Sequence, residues 1–266
     1  QDIGVSAGSI DTGNGSVNAR GAVTLSAAGD VSSRGAAVSA NSVAIQAGGT
    51  LDNAAGSLWS TTGMQVGAQR VANQGGLLGA VGDVAVTAGS VDNGAGTIGS
   101  QTGHLNVNST GAIANAGGKL VAAQDASLTG TGLGNQGGTV SARNLSIDTG
   151  TGGIDNTGGT VSAAGTAAIG AGAVVNRGGT LAAVGDVSLK VGRLDNTSGA
   201  LGSQTASLKL DSTGDVVNAG GKLVAAQDAS IAAASLNSQG GMVSARNLLL
   251  DARGGTIDNT KGTVSA

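Results

Sequence analysis

The sequence has no cysteine, no proline, no phenylalanine and no tyrosine, and Trp59 is its only aromatic residue. Without cysteine there are no disulfides and no thiol chemistry. A conventional globular core depends on large aromatic and aliphatic side chains, so it cannot be assembled from this composition. The hydrophobic share of 39% is nevertheless too high for a disordered linker. These absences predict a narrow interior that is filled by slender side chains.

Glutamate is also missing, so all 16 acidic residues are aspartates, and 51 of the 266 residues are glycine. Asp, Asn, Gly, Ser and Thr favour turns and strands over helix interiors, and we therefore expect almost no helix. The net charge of -3 and the scattered basic residues argue against a nucleic-acid partner. Gly, Asn or Asp interrupts every apolar stretch, which excludes a membrane-spanning run.

A repeat of about 20 residues runs through the chain, with twelve full units between Ile10 and Thr256. A fixed period of this length is typical of a solenoid. In every unit the first and eighth positions are Ile, Val or Leu and the tenth is Ala or Ser, while the last segment carries an alternating apolar pair such as Val187 and Leu189. Alternation with period two indicates strands with one buried face. Each unit is predicted to supply three short strands and to form one three-sided coil.

The turn after the first strand of each unit has a fixed chemistry. Gly occupies the sixth position in all units except the one with Ala36, and we expect it to supply the positive φ of a tight corner. Asparagine recurs at the third position, and coils about 4.8 Å apart would let these amides hydrogen-bond along the stack. The predicted Asn ladder comprises Asn53, Asn73, Asn93, Asn115, Asn135, Asn156, Asn176, Asn196 and Asn218.

The stretch NAGGKLVAAQDAS occurs twice, at residues 115–127 and 218–230, which are 103 residues apart. Five successive units from Leu51 have the same lengths as five from Ile154, so a block of five coils is repeated. In a solenoid each coil contacts only its neighbours, and a block can be copied without disturbing the rest. Both ends match parts of a repeat, so we expect residues 1–266 to be a single β-helical segment inside a longer exoprotein, without caps of its own.

The pattern [LIV]-x-N-x-G-G-x-[LIV]-x-[AS] over the whole chain resembles the filamentous haemagglutinin repeats of large two-partner-secretion exoproteins. The resemblance implies an all-β, right-handed parallel β-helix of about 12–13 coils. It also implies secretion to the surface of a Gram-negative cell with an outer-membrane transporter as the partner. Such a shaft belongs to an adhesin that meets a host or neighbouring-cell receptor or glycan. The alternative within the family is the stick of a contact-dependent growth inhibition toxin.

A more distant alternative is a β-helix carbohydrate-active enzyme, which needs two carboxyl groups within about 5–9.5 Å of each other. The aspartates at the second position and those before the third strand never fall on consecutive coils, so we interpret them as turn and surface residues. His104 is the only histidine, which removes metal sites that need two imidazoles. We therefore predict no catalytic residue, no cofactor and no metal.

Trp59 is the one residue that could carry recognition. It lies at the ninth position of its unit, between inward-facing neighbours, and should therefore point outward with Gly79 at the matching position of the next coil. An exposed indole beside a bare glycine is a candidate contact for a sugar or a partner protein. The competing interpretation is that the ring lies flat over Gly79 as a local patch.

Overall fold

The computed structural model describes residues 1–266 and contains 35 strands and no helix. The all-β parallel solenoid predicted from the sequence is confirmed: about 20 residues and three strands form each turn, and the chain makes about thirteen turns. The right-handed sense stays a prediction from the resemblance. The strands divide into two compact units, Gln1–Thr131 and Gly132–Ala266. From here on they are called the first unit and the second unit, and a single repeat of about 20 residues is called a coil.

Most strands of the first unit are three to six residues long, and three longer ones continue around a corner without interruption. Strand β8 is the longest because it covers all three sides of its coil. The strands are β1 (Ile3–Ala7), β2 (Ile10–Asp11), β3 (Ser16–Asn18), β4 (Ala22–Ala27), β5 (Val31–Ser32), β6 (Ala37–Ala47), β7 (Thr50–Asp52), β8 (Ser57–Ala72), β9 (Leu77–Ala80), β10 (Val84–Asp92), β11 (Thr97–Ser100), β12 (Leu105–Ser109), β13 (Ala112–Ala114), β14 (Lys119–Ala122) and β15 (Ala126–Thr129).

The second unit is more regular, because every side of every coil is a separate strand of two to five residues. Its strands are β16 (Gly132–Gly134), β17 (Thr139–Ala142), β18 (Leu145–Asp148), β19 (Gly153–Asp155), β20 (Thr160–Ala163), β21 (Ala167–Ala171), β22 (Ala173–Val175), β23 (Thr180–Ala183), β24 (Val187–Val191), β25 (Leu194–Asp195), β26 (Ala200–Ser203), β27 (Leu208–Ser212), β28 (Val216–Val217), β29 (Lys222–Ala225), β30 (Asp228–Ala232), β31 (Leu236–Asn237), β32 (Met242–Ser244), β33 (Asn247–Asp251), β34 (Ile257–Asp258) and β35 (Thr263–Ser265).

Within each unit a strand pairs in parallel with the strand on the same side of the next coil. In the second unit, for example, β20, β23 and β26 pair so that Val161, Leu181 and Leu201 lie in one row. These eighth-position side chains are at most 2% exposed. The rows of Val, Leu, Ile and Ala form the interior of each unit, and the remaining side chains of each strand face solvent, as the period-two pattern predicts.

The role expected for the sixth-position glycines is wrong. The positive φ falls one residue earlier, where the chain also accepts Ala55, Ala95 and Ser198 with φ of 54°, 52° and 54°. The sixth residue is glycine because there is no space for a side chain at this position. A Cβ on Gly159, for example, would lie 2.6 Å from Oδ1 of Asn156 and closer still to a carbonyl oxygen of the preceding coil. The exception, Ala36, belongs to a coil whose third residue is the shorter Ser33.

Candidate functional surfaces

The third-position asparagines of the first unit form a continuous hydrogen-bonded column inside the corner. Asn53, Asn73, Asn93 and Asn115 are all 0% exposed. The Nδ2 atom of each donates to Oδ1 of the next, and each of the three distances is 2.7 Å. Ser33 takes the position before Asn53 and donates its hydroxyl to Oδ1 of Asn53 at 3.1 Å. The side-chain dipoles therefore all point in one direction along the stack.

The second unit repeats this arrangement. The column runs from Asn135 through Asn156, Asn176 and Asn196 to Asn218, with Nδ2–Oδ1 distances of 2.7 to 2.8 Å. Each of these Nδ2 groups also reaches a backbone carbonyl in the next coil, such as Ala200 O at 3.1 Å from Asn176. One short side chain thus joins the first corner of its coil to the second strand of the coil after it.

The substitution Asn176→Ala is expected to lower the free energy of unfolding by about 3 kcal/mol. It removes the donor to Asn196 and leaves the buried Nδ2 of Asn156 without one of its acceptors. A buried polar group that loses its partner costs about 1–3 kcal/mol. Urea unfolding followed by far-UV circular dichroism would measure the loss.

The matched control is Asn176→Ser, since the chain itself places Ser33 and Ser238 at this position. A hydroxyl restores one donor and one acceptor, as Ser238 does when it accepts from Asn218 Nδ2 at 3.1 Å. We expect the serine variant to lose less than half as much stability as the alanine variant. Equal losses would contradict a hydrogen-bonding role for the column.

The aspartates at the second position hold the same corner from outside. In each, Oδ1 accepts the backbone N–H two residues later, as Asp195 does from Thr197 at 3.1 Å. Except in Asp11, Oδ2 accepts from an Arg or Gln side chain at the fourth position of the preceding coil, as Asp195 does from Arg177 Nε at 2.6 Å. Sequence reasoning did not identify this pairing, whose signal is the 18- or 19-residue spacing of Arg34/Asp52, Gln74/Asp92, Gln136/Asp155, Arg177/Asp195 and Gln239/Asp258.

These contacts favour the ionised carboxylates of Asp155 and Asp195, whose pKa values are lowered. Partial burial raises the pKa of Asp195, but the hydrogen bonds from Arg177 and Thr197 and the positive charge outweigh burial and lower the pKa below its ordinary value. The pKa of Asp155 is lowered in the same balance, with burial opposed by Thr157 and Gln136. A lowered pKa means that these pairs stabilise the fold above about pH 4 and lose that contribution as the pH falls further.

A second set of aspartates caps the start of the third strand. Asp2 accepts the backbone N–H of Ala22 at 2.8 Å, Asp83 accepts that of His104 at 2.8 Å, and Asp186 accepts from the equivalent position of the next coil at 3.0 Å. Each carboxylate thus satisfies an amide one coil further along the stack. The sequence interpretation of these residues as surface carboxylates overlooked this structural contact.

The corner carboxylates of Asp155 and Asp195 do not lie on neighbouring coils. Asp155 and Asp195 lie on the same side of the second unit with Val175 between them in register, which places their backbones two coils or about 9.6 Å apart. A general acid needs a raised pKa, whereas the pKa values of both are lowered. His104 accepts the amide N–H of Asp125 at 3.3 Å, and no serine hydroxyl hydrogen-bonds to it.

Trp59 faces outward from β8 in register with Ser39 and Gly79, as its position predicts. Its ring lies against the bare glycine, because a methyl group on Gly79 would be 2.8 Å from Cζ3 of Trp59 and 3.1 Å from Leu77 Cδ1. The indole is half-buried, and its Cζ3 and Cε3 atoms lie over Gly79. This contact agrees with the interpretation of the ring as a local patch, and the contact role of Trp59 stays a prediction.

No three His, Cys, Asp or Glu side chains come close enough together to hold a metal ion. The chain also contains no helix with the length and apolar character needed to cross a membrane.

A comparison with known protein families finds a match that agrees with the repeat seen in the sequence and with the solenoid fold. The model of the haemagglutinin repeat matches five times, at residues 2–61, 54–117, 110–150, 140–220 and 202–265. These matches overlap and together cover nearly the whole chain. Neither a curated relative nor a solved structure matches it.

Proposed function

The chain belongs to the haemagglutinin repeat family, and on this basis we propose that it is a shaft segment of a large secreted or cell-surface bacterial adhesin. Proteins with this repeat are associated with bacterial secretion and adhesion rather than with catalysis. The adhesin would leave a Gram-negative cell by two-partner secretion, through an outer-membrane transporter partner. The segment would present more distal adhesive regions to a receptor or glycan on a host or neighbouring cell.

The observation that carries this proposal is the in-register duplication of five coils at an offset of 103 residues. Inward residues keep their character across the offset, as Val86 and Val107 of the first unit and Leu189 and Leu210 of the second illustrate. A solenoid gains length from such a copy because each coil contacts only its neighbours. Each added coil advances the stack by about 4.8 Å. A segment that is extended by copying coils provides length, and it sets the spacing between the regions on either side of it.

The electrostatics of the corners support a structural role. The carboxylates of Asp155 and Asp195 are held by Gln136, Arg177 and backbone donors, and their pKa values are lowered. Trp59 remains the candidate receptor contact on the segment. A toxin-delivery stick for growth inhibition is the alternative, and it would have the same coils, since its requirements for length are the same.

The test compares the full exoprotein with a version lacking residues 51–256, which removes two five-coil blocks and joins equivalent positions. We expect normal secretion, binding to target cells within about twofold, and a filament about 48 Å shorter by electron microscopy. Loss of cell binding with normal secretion would mean that the segment carries the receptor site.

Two further measurements separate the finer alternatives. Trp59→Ala in the full exoprotein leaves cell binding unchanged if the segment is only a spacer, and reduces it if Trp59 is a contact. Growth competition against neighbouring cells then distinguishes the two family functions. A shortened exoprotein that still adheres but no longer inhibits neighbours would favour the toxin-delivery stick over the adhesin.

A further inference from the structure

One side of the first unit carries no charged side chain along its strands, and the nearest carboxylates, Asp2, Asp83 and Asp125, lie just before strand starts. The third strands of its coils lie in β1, β4, β6, β8, β10, β12 and β15, which pair in register. Their outward positions are occupied only by Gly, Ala, Ser, Thr, Asn and Gln, and we call this surface the uncharged face. Large apolar side chains are absent from it as well. The face is therefore polar, neutral and free of bulky anchors.

The central part of the uncharged face is concave. A groove of about 270 Å³ is lined by the outward side chains Thr24, Gln46, Gln65 and Thr87, with small residues between them such as Gly67. It adjoins a wider and more open depression of about 740 Å³ that shares Gln46, Gly67 and Thr87. Together they form a channel across several coils rather than a closed pocket.

The hydrogen-bonding groups of this channel are unused within the chain. The side-chain amides of Gln46 and Gln65 and the side-chain hydroxyls of Thr24 and Thr87 form no hydrogen bond to any other protein group. The four side chains are exposed. Amides and hydroxyls offer both donors and acceptors, so the channel can satisfy a ligand that carries both kinds of group.

The fold does not require the outward residues of this face to be uncharged. The duplicated block shows this, because the corresponding strands of the second unit carry charged outward residues. At an offset of 103 residues, Thr87 corresponds to Lys190, Asn106 to Lys209 and Asn108 to Asp211. The backbone pairing is the same, since β24 pairs with β27 as β10 pairs with β12. The same coils thus accept charged outward residues in one copy and lack them in the other.

The chemistry of the uncharged face selects one class of ligand. Nucleic acids and anionic lipids or glycans need basic residues. Protein partners are usually anchored by aromatic side chains or by arginine, which the face lacks. A neutral polysaccharide is uncharged, extended and dense in hydroxyl groups that both donate and accept.

We propose that the uncharged face of the first unit binds an uncharged polysaccharide along the channel formed by Thr24, Gln46, Gln65 and Thr87. The inference rests on the proposed adhesive function and names a class of receptor for it. Successive coils repeat the contacts about every 4.8 Å, so many weak contacts act on one chain of sugars. Short oligosaccharides should bind much more weakly than long ones.

The test is affinity electrophoresis of the complete 266-residue chain in native gels that contain dextran, a neutral galactomannan or heparin. The decisive variant is the double substitution Thr87→Lys/Asn108→Asp, which copies Lys190 and Asp211 of the second unit and leaves the net charge unchanged. Its control is Ser57→Asp/Thr97→Lys on the outward side of β8 and β11, another side of the same coils. Circular dichroism verifies that both variants fold.

We expect at least one neutral polysaccharide to retard the unmodified chain and the control variant equally. The Thr87→Lys/Asn108→Asp variant should raise the apparent Kd about tenfold. The proposal is overturned if no neutral polysaccharide retards the chain, if heparin alone does, or if the control loses as much binding. It is also overturned if the decisive variant changes sedimentation without any polysaccharide, because the face would then join copies of the chain. None of these outcomes bears on the shaft function, which the deletion tests separately.

Discussion

Replacing Leu181 by aspartate is expected to unfold the coils around it. Leu181 is 0% exposed and lies between Val161 and Leu201 in the interior row of the second unit. Loss of a buried leucine side chain costs about 2–5 kcal/mol, and an unpaired carboxylate in an apolar interior adds several more. The sum approaches the whole stability of a typical domain, about 5–15 kcal/mol. Disruption of β23 also removes the pairing partners of β20 and β26.

The control for this prediction is Thr180→Asp, one residue earlier in the same strand. Thr180 is exposed, so its replacement should change the free energy of unfolding by about 0.5 kcal/mol or less. Urea unfolding gives both values, and hydrogen exchange read by mass spectrometry shows which coils open. Similar losses in the two variants would mean that the assignment of inward and outward positions is wrong.

A single methyl group at a sixth position should also destabilise the fold strongly, although less than Leu181→Asp. In Gly159→Ala the new Cβ would lie 2.6 Å from Oδ1 of Asn156 and closer still to the backbone oxygen of Asn135. Asn156 cannot move away, because its Nδ2 is held by Gly159 O, Asn176 Oδ1 and Thr180 O. We expect a loss of about 3 kcal/mol, the upper part of the range for overpacking, measured as a shift of the urea midpoint.

The adjacent variant Gly158→Ala separates space from backbone conformation. Gly158 has φ of 61° and nothing within 4 Å of an added Cβ, so alanine meets only the cost of a left-handed conformation, about 1–2 kcal/mol. The chain already accepts this cost at Ala55 and Ala95. If Gly158→Ala proved the more damaging of the two, crowding by the Asn column would not be the reason for glycine at the sixth position.

The corner shows where sequence reasoning reached its limit. Repetition at the third and sixth positions identified Asn and Gly as the residues that matter, because a solenoid imposes the same environment once per coil. It could not say which neighbour restricts the glycine, since the close carbonyl belongs to the preceding coil and not to the local turn. The pairing of Arg177 with Asp195 was missed for a similar reason, since its partners are 18 residues apart and meet only after stacking.

The same limit applies to the two candidate binding sites, Trp59 and the uncharged face. The outward direction of Trp59 follows from alternation, but its contact with Gly79 depends on the side chain reaching across to the next coil. The uncharged face cannot be recognised from any one repeat, because each coil contributes only two or three outward residues to it. It becomes a surface only when the third strands lie side by side.

By itself, the sequence determined the class of fold, the length of the coil, the inward residues and the family. These follow from a periodic pattern, because apolar positions that recur with period two inside a 20-residue repeat can be buried together only in stacked strands. The repetition also predicted that the asparagines of successive coils meet, but tertiary structure alone decided which other residues of neighbouring coils do. The carboxylates held in the corners and the grooved neutral surface both join residues from different coils, and the physical reason is that stacking, not local chain geometry, brings them within contact distance.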